Sequence, residues 1–221
     1  MSLGDVKGQI KSKKRVADHG EVLTPEREVN AMLDLVKHET ERIESRFLEP
    51  ACGDGNFLAE ILRRKLDVVT IRYGDDFHEW EKYAVLAVTS IYGVDILEDN
   101  VKDCQMRLFD IFEANYLDIC NEHTTDECRQ AVRYILSRNI FCGDALTMKT
   151  KDDNPIVFSE WSIISGDLIK RRDFDLSQML YGHEKNLFTR TWKYDDEVKA
   201  FIPPPVREFS PIHYFKVHTY G

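Results

Sequence analysis

The sequence predicts an α/β fold with a mostly parallel central sheet flanked by helices. Two observations carry that expectation. Short apolar strands near residues 47–48, 90–95 (SIYGVD) and 139–144 (NIFCGD) alternate with stretches whose apolar residues recur at helical spacing. Each strand also ends in a segment unlike its surroundings: Gly53-Asp54-Gly55, Asp95 and Asp144. Parallel strands joined by crossover helices bring their carboxyl ends to one side, where ligands of such sheets bind.

The elements follow in order. Residues 1–20 are polar, with a basic run at 11–15, and are expected to form a flexible arm. Thr24 suits a helix cap and Pro25 a first helical position. Val29, Met32, Leu33 and Val36 then predict an amphipathic helix over 25–40, an N-terminal helical extension. In RFLEPACGDGNFLAEIL (46–62) a strand enters a Gly-rich turn, and Phe57, Leu58, Ile61 and Leu62 give the following helix its apolar face. Residues 67–90 fit either a helix or irregular structure. Val101, Cys104, Leu108, Ile111 and Phe112 predict a helix over 97–114, and another is expected over 125–138.

Beyond residue 150 the pattern weakens. Residues 155–161 read as a strand, 170–180 as a loop and short helix. Residues 198–202 and 213–217 read as paired strands around Pro203-Pro204-Pro205, which cannot donate ladder hydrogen bonds. The expected organisation is a single domain over 21–221, with a cofactor-binding core over about 21–150 and a divergent part over 151–221.

Composition narrows the function. The chain has 221 residues, 43% apolar and 31% charged, enough for one sizeable core. No apolar run approaches a membrane span and no secretory leader is apparent, so a cytoplasmic protein without membrane contact is expected. Five cysteines without CxxC spacing read as reduced thiols, and no metal site is expected. A net charge of −9 opposes coating of nucleic acid by the whole surface, leaving 11–15 and 170–172 as local basic candidates.

The strand ends suggest a ligand. Glycines at 53 and 55 let a ligand lie against the backbone, and the turn points N–H groups and a helix start at one place. The turn lacks the spacing of a triphosphate loop, and Leu58 stands where a dinucleotide turn has its third glycine. The ligand should therefore lack a pyrophosphate. Asp95 can accept hydrogen bonds from both hydroxyls of a ribose, and Asp144 from an adenine amine. An adenosine without phosphates fits. S-adenosylmethionine fits best, its sulfonium favoured by acids such as Glu49 and Asp54.

GEVLTPEREVNAMLDLV (20–36), FLEPACGDGNFL (47–58), YGVDILEDNV (92–101) and NIFCGDAL (139–146) together resemble, in order, the segments of restriction–modification N6-adenine DNA methyltransferases. The resemblance covers about residues 15–150. It implies a Rossmann-like class I methyltransferase fold with S-adenosyl-L-methionine as cofactor. It assigns cofactor contacts to Thr24, Pro25, Glu49 (where the family more often has Asp), Ala51, Gly53, Asp54, Gly55, Asn56 and Phe57. On the later strands it assigns Asp95 and Ile96 to the ribose side, and Asp144 and Ala145 to the adenine side.

The family's catalytic Asn/Asp/Ser-Pro-Pro-Tyr/Phe loop has no match. Asn154-Pro155 continues into Ile156-Val157, Pro203-Pro204-Pro205 lies between Ile202 and Val206, and Ser165-Gly166-Asp167-Leu168 has neither proline nor aromatic. No catalytic residue is assigned. Trp161, Phe174, Tyr181 and Trp192 are the aromatic candidates for stacking a flipped base. The expected function is transfer of a methyl group to DNA adenine, by an enzyme or by a methylase subunit of a restriction–modification system. One alternative is a non-catalytic cofactor-binding subunit that needs a restriction, specificity or other partner chain to meet DNA. Another is a different Rossmann-like nucleotide-binding enzyme, and a structural module without ligand is the last.

Overall fold

A computed structural model describes residues 13–19, 21–181, 193–195 and 200–220. Its core is a parallel sheet of three strands in spatial order β1 (Phe47–Glu49), β2 (Ile91–Asp95), β3 (Ile140–Cys142). Phe47 pairs with Ile91, and Gly93 with Ile140. The chain leaves β1 through α4 (Asn56–Tyr73) and α5 (Phe77–Thr89), and leaves β2 through α6 (Glu98–Cys120) and α7 (Asp126–Asn139). Each parallel pair is thus closed by two helices, and residues 67–90, ambiguous in sequence, are mostly helical.

Strand alternation divides the core. Ile91 and Ile140 face the helices, with Leu58, Leu62, Leu66, Leu108 and Phe112 among the buried residues there. Tyr92 and Val94 point the other way, into a second cluster with Met148, Ile156 and Phe158. Leu176, which opens a short helix, completes that cluster, while Trp161 and Ile169 of the antiparallel strands that follow pack in the first cluster. β4 (Val157–Ser165) pairs with β5 (Leu168–Asp175), and β5 pairs in turn with β8 (Arg207–Glu208) and β9 (Ile212–His213). The Tyr92 hydroxyl donates to the Ser159 carbonyl (2.9 Å), joining the two sheets through their interior. At the far end of β3's helix, Asn139 donates to the carbonyls of Thr89 (3.2 Å) and Ile91 (3.1 Å) and accepts from Trp161 Nε1 (3.0 Å).

Other expectations shift for local reasons. Helix α2 spans Glu26–Asp34, not 25–40, and a separate turn α3 (Lys37–Thr40) follows. Thr24 does not cap it: Pro25 occupies the cap position with an extended ψ of 150°, and its ring carries no atom that could accept from a backbone N–H. Only Val29 and Leu33 of its apolar stripe are buried. Residues 13–19, within the expected N-terminal arm, form helix α1 (Lys13–His19), in which Arg15 binds Glu21. Residues 170–175 are strand: Lys170, Arg171, Arg172 and Asp173 are all ion-paired, and Phe174 is buried. The segment Ala200–Ile202 (β7) pairs with Lys193–Asp195 (β6), whereas 213–217 splits between β9 and a 3-10 helix, Tyr214–Tyr220. Residues 198 and 199 lie outside the described residues. The Tyr214 hydroxyl in that 3-10 helix donates to buried Glu81 (3.0 Å), as does the Tyr116 hydroxyl, which anchors it on α5 and α6.

Lys65 of α4 is fully buried beneath the amino ends of β1 and β2. Its ammonium donates to the carbonyl of Ile43 (2.9 Å), the carbonyl of Ser45 and Ser90 Oγ (2.7 Å). All three acceptors are neutral, so desolvation wins and lowers its pKa to about 7. The folded state then binds fewer protons than the unfolded state above that value, and stability rises with pH. Between pH 7 and 8.5, below the range of the thiols and phenols, urea unfolding of the native chain should gain about 1 kcal/mol per pH unit relative to Lys65→Met. Parallel pH profiles for the two proteins would contradict this.

Candidate functional site

The carboxyl ends of the parallel strands are bound to one another through Asp95. The Gly53 N–H donates to Asp95 Oδ2 (2.9 Å), while the Gly143 N–H donates to the Asp95 backbone carbonyl (2.9 Å). Asp95 Oδ1 accepts from the Leu97 N–H (2.8 Å) and from Asn100 Nδ2 (3.2 Å). The carboxylate is buried because β2 is the central strand and both neighbouring loops fold over its end. Two of these donors belong to the start of α6, whose N–H groups lack helical partners and favour an anion.

The turn after β1 is shaped by the same packing. Gly55 (φ 89°) stands at the N-cap of α4, and a Cβ there would meet Cys104 Sγ at 2.7 Å. Gly53 (φ 54°) is also left-handed, but its Cβ would meet only Leu23 Cδ2, at 3.2 Å. Gly55 is thus fixed by contact with α6, whereas Gly53 leaves its surface to a neighbour that can move. Cys52 lies buried in this turn, and the neighbouring Cys104 together with burial pushes its thiol far up, so it is no nucleophile. Glu49 at the end of β1 is half-buried with a weak bond from the Ala51 N–H (3.4 Å), and desolvation raises its carboxyl.

A strap made of α1 and residues 21–25 lies along this turn. The Thr24 carbonyl accepts from Asn56 Nδ2 (3.0 Å), and Asn56 Oδ1 accepts from Arg107 (2.5 Å). Arg15 binds Glu21, Asp99 and Asn100, the last two in the first turn of α6. Asn100 Nδ2 donates to Glu21 Oε1 (2.7 Å) as well as to Asp95. Sequence reasoning missed Arg15, Glu21, Asn100 and Arg107. The only signal for Asn100 was a polar residue close to Val101 at the start of a helix, which also fits an exposed turn.

Two hollows adjoin these loops. One, of about 370 Å³, is lined by Ile96, Cys142, Gly143, Asp144, Thr147 and Lys149. The other, of about 710 Å³, runs between Asp54, Asn56 and the side of α6 at Met106, Arg107 and Ile111, with Leu23 at its edge. The sequence led to an expectation of one hollow shared by all three loops. The loops do meet, but Asp54 and Asp144 open into different hollows and Asp95 lines neither, because the strap and Asn100 close over it. Ile96 is 61% exposed and free to pack on a ring. Asp144 Oδ1 accepts the Leu146 N–H (2.8 Å) in a turn, and Ala145 packs toward the antiparallel sheet. Phe57 packs against the main core, and Pro25 leads into α2.

The other candidates are not borne out in place. Trp161 and Phe174 are buried, 3% and 5% exposed, and cannot stack a base. Trp192 and the side chain of Tyr181 lie outside the described residues. In the basic run at 170–172, Lys170 pairs with Glu208, Arg171 with buried Asp173 and Arg172 with Glu160, which removes it as a phosphate site. Of 11–15, residues 11 and 12 lie outside the described residues and Arg15 is paired. Among the described residues no His, Cys, Asp and Glu group is placed to hold a metal, and no helix is long and apolar enough to cross a membrane.

Comparisons with protein-family models, with curated proteins and with solved structures each return no match.

The two glycines should separate in stability. Gly55→Ala combines a left-handed backbone with overlap on Cys104 and should cost about 2–4 kcal/mol in denaturant unfolding. Gly53→Ala should cost about 1–2 kcal/mol, since only the backbone term applies. Equal losses would show that the α6 contact is not what fixes Gly55.

Proposed function

We propose that this chain binds S-adenosyl-L-methionine as the cofactor-holding part of an adenine-N6 DNA methyltransferase, of the restriction–modification type. The observation that carries the reading is the bonding of all three strand-end loops through Asp95, which supports a nucleoside site without phosphate contacts. The adenine would lie in the hollow of Ile96 and Asp144 and the methionine end along the 53–56 turn, with the ribose crossing the end of β2 between them, where Asp95 fixes the two loops. Glu49, close to Cys52 and short of hydrogen bonds, would face the sulfonium. The donor is already activated by its positive charge, so transfer would rest on alignment of the methyl group with the target amine.

A specific observation favours one form of this reading. Among the described residues the parallel sheet has three strands, and Ser165-Gly166-Asp167-Leu168 is the turn between antiparallel β4 and β5. Asn154-Pro155 is exposed and leads into Ile156, buried under the sheet. Neither stands at the end of a parallel strand. With Trp161 and Phe174 also buried, the elements that would hold a flipped base are best supplied by a partner chain, which would bring the DNA contact as well. The charge of −9 accords with that division.

Calorimetry with S-adenosylmethionine, NAD and ATP tests the cofactor. Only the first should bind, and Asp95→Ala should weaken it about tenfold or more while keeping a cooperative unfolding transition. Unchanged affinity in Asp95→Ala and in Gly53→Val would remove the site. Methyl transfer to mixed-sequence DNA, with and without candidate partner chains, tests the division of labour.

The half-buried Glu49 adds a pH dependence. Its carboxyl is raised above the ordinary range, and only its ionised form attracts a sulfonium. The affinity ratio of S-adenosylmethionine to uncharged S-adenosylhomocysteine should therefore fall as pH is lowered through that raised value. Glu49→Gln should flatten the ratio, and a ratio independent of pH in the native chain would place the sulfonium elsewhere.

A further inference from the structure

Strand β1 is an edge of its sheet. Among the described residues it pairs with β2 on one side and with no strand on the other. The Phe47 N–H donates to the Ser90 carbonyl (2.9 Å), so Phe47 and Glu49 turn their backbone groups to β2. Successive residues of a strand direct these groups to opposite sides, which leaves the N–H and carbonyl of Leu48 facing outward. Pro50 carries no N–H and stops the ladder there.

The side chain of Leu48 is open as well. It shares a register position with Tyr92, and register partners of a parallel pair point to the same face. Tyr92 is 7% exposed within the second cluster, whereas Leu48 is 42% exposed. The cover of that face therefore reaches β2 and stops short of Leu48. The opposite edge of the sheet differs: Ile140 of β3 is buried, and Phe141 packs against the second cluster. Exposed apolar surface and outward backbone groups coincide at β1.

The proposed reaction lacks a part at this place. Strands β1, β2 and β3 follow one another in one direction, so the strand order does not reverse within this sheet. Ligands of open parallel sheets lie beyond the strand ends, at the point where the order reverses. A strand added outside β1 would create that reversal beside Glu49 and the 53–56 turn, where the methionine end of the cofactor would lie. Because β2 occupies the other side of β1, an acceptor amine would approach the methyl group from the open side.

We infer that β1 takes a strand from the partner chain: an extended segment parallel to β1, with an apolar side chain over Leu48 and a following loop that carries the base-holding groups. Edge pairing of this kind gives affinity through the backbone and specificity through side chains. An edge three residues long discourages unspecific pairing, so the contact at Leu48 must select the partner. The role given to the added strand rests on the cofactor reading above.

A benzophenone amino acid placed at position 48 of the full chain, and at exposed Ile71 as a control, tests this by photo-cross-linking in the cells that make the protein. Position 48 should yield an adduct with one segment of one other chain, and position 71 should not. That chain, once purified, should bind the native protein in calorimetry. Leu48→Lys removes the apolar contact, and Leu48→Pro removes the outward N–H while leaving the bonds to β2. Both should weaken the affinity between the two chains about tenfold or more, with S-adenosylmethionine binding and cooperative unfolding unchanged. The proposal is overturned by no adduct at 48, by the same adduct at 71, by an adduct with a second copy of this chain, or by unchanged affinity in both variants. Failure of the cofactor reading shows separately, as absence of S-adenosylmethionine binding by the native chain; strand pairing at β1 would then stand without its role in methyl transfer.

Discussion

The end of β2 is the point on which the remainder of the molecule turns. Asp95 is the last residue of the central strand, and its backbone and side chain bind the loops of both neighbouring strands. A parallel strand cannot pair with its neighbour through a short turn, so β1, β2 and β3 reach this place only after excursions through two helices each. Their ends would splay without a group able to accept N–H donors from several directions. A buried carboxylate does this. The same bonds that hold the loops together also define where a ligand could meet backbone.

The two faces of the sheet are solved differently. On one, four helices pack through aliphatic and aromatic side chains, with Gly55 allowing α4 and α6 to come together at Cys104. On the other, Met148, Ile156, Phe158 and Leu176 pack with Tyr92 and Val94. Along β4 and β5, Phe158 and Phe174 share one side with the ion pairs of Arg172 and Lys170, while Trp161 and Ile169 turn to the helical cluster. The aromatic residues that would suit base stacking are thus spent on the core.

Some of this was legible in the sequence and some was not. The β1–turn–α4 unit, β2, α6 and β3 follow from local signals: apolar runs of strand length, a glycine turn, and helical recurrence at Val101, Cys104, Leu108 and Phe112. Asp95 was singled out by its position after a strand. The helix over 77–89 was obscured because Trp80, Tyr83 and Ala84 mix with acidic residues, and its apolar face only becomes clear once α4, α6 and α7 surround it. Strand β5 was hidden by Lys170-Arg171-Arg172, which looks like a solvated loop until Asp173, Glu160 and Glu208 are seen to neutralise it. Pairing partners that lie far away in sequence leave no local trace.

The sequence by itself determined the order of β1, α4, β2, α6, α7 and β3, the glycine turn after β1, and the acids at the strand ends. These depend on near neighbours and on periodicity, which a chain carries in its own order. Only the tertiary structure decided that one acid would be claimed by a neighbouring turn, that an asparagine would bridge it to Glu21, and that the antiparallel hairpin would divide its side chains between two clusters. Those outcomes depend on contacts between residues up to about eighty positions apart, such as Asn100 with Glu21, 79 apart. Nothing in the spacing of such residues reveals which of them will meet, because the distance between them is set by packing of the helices that lie between.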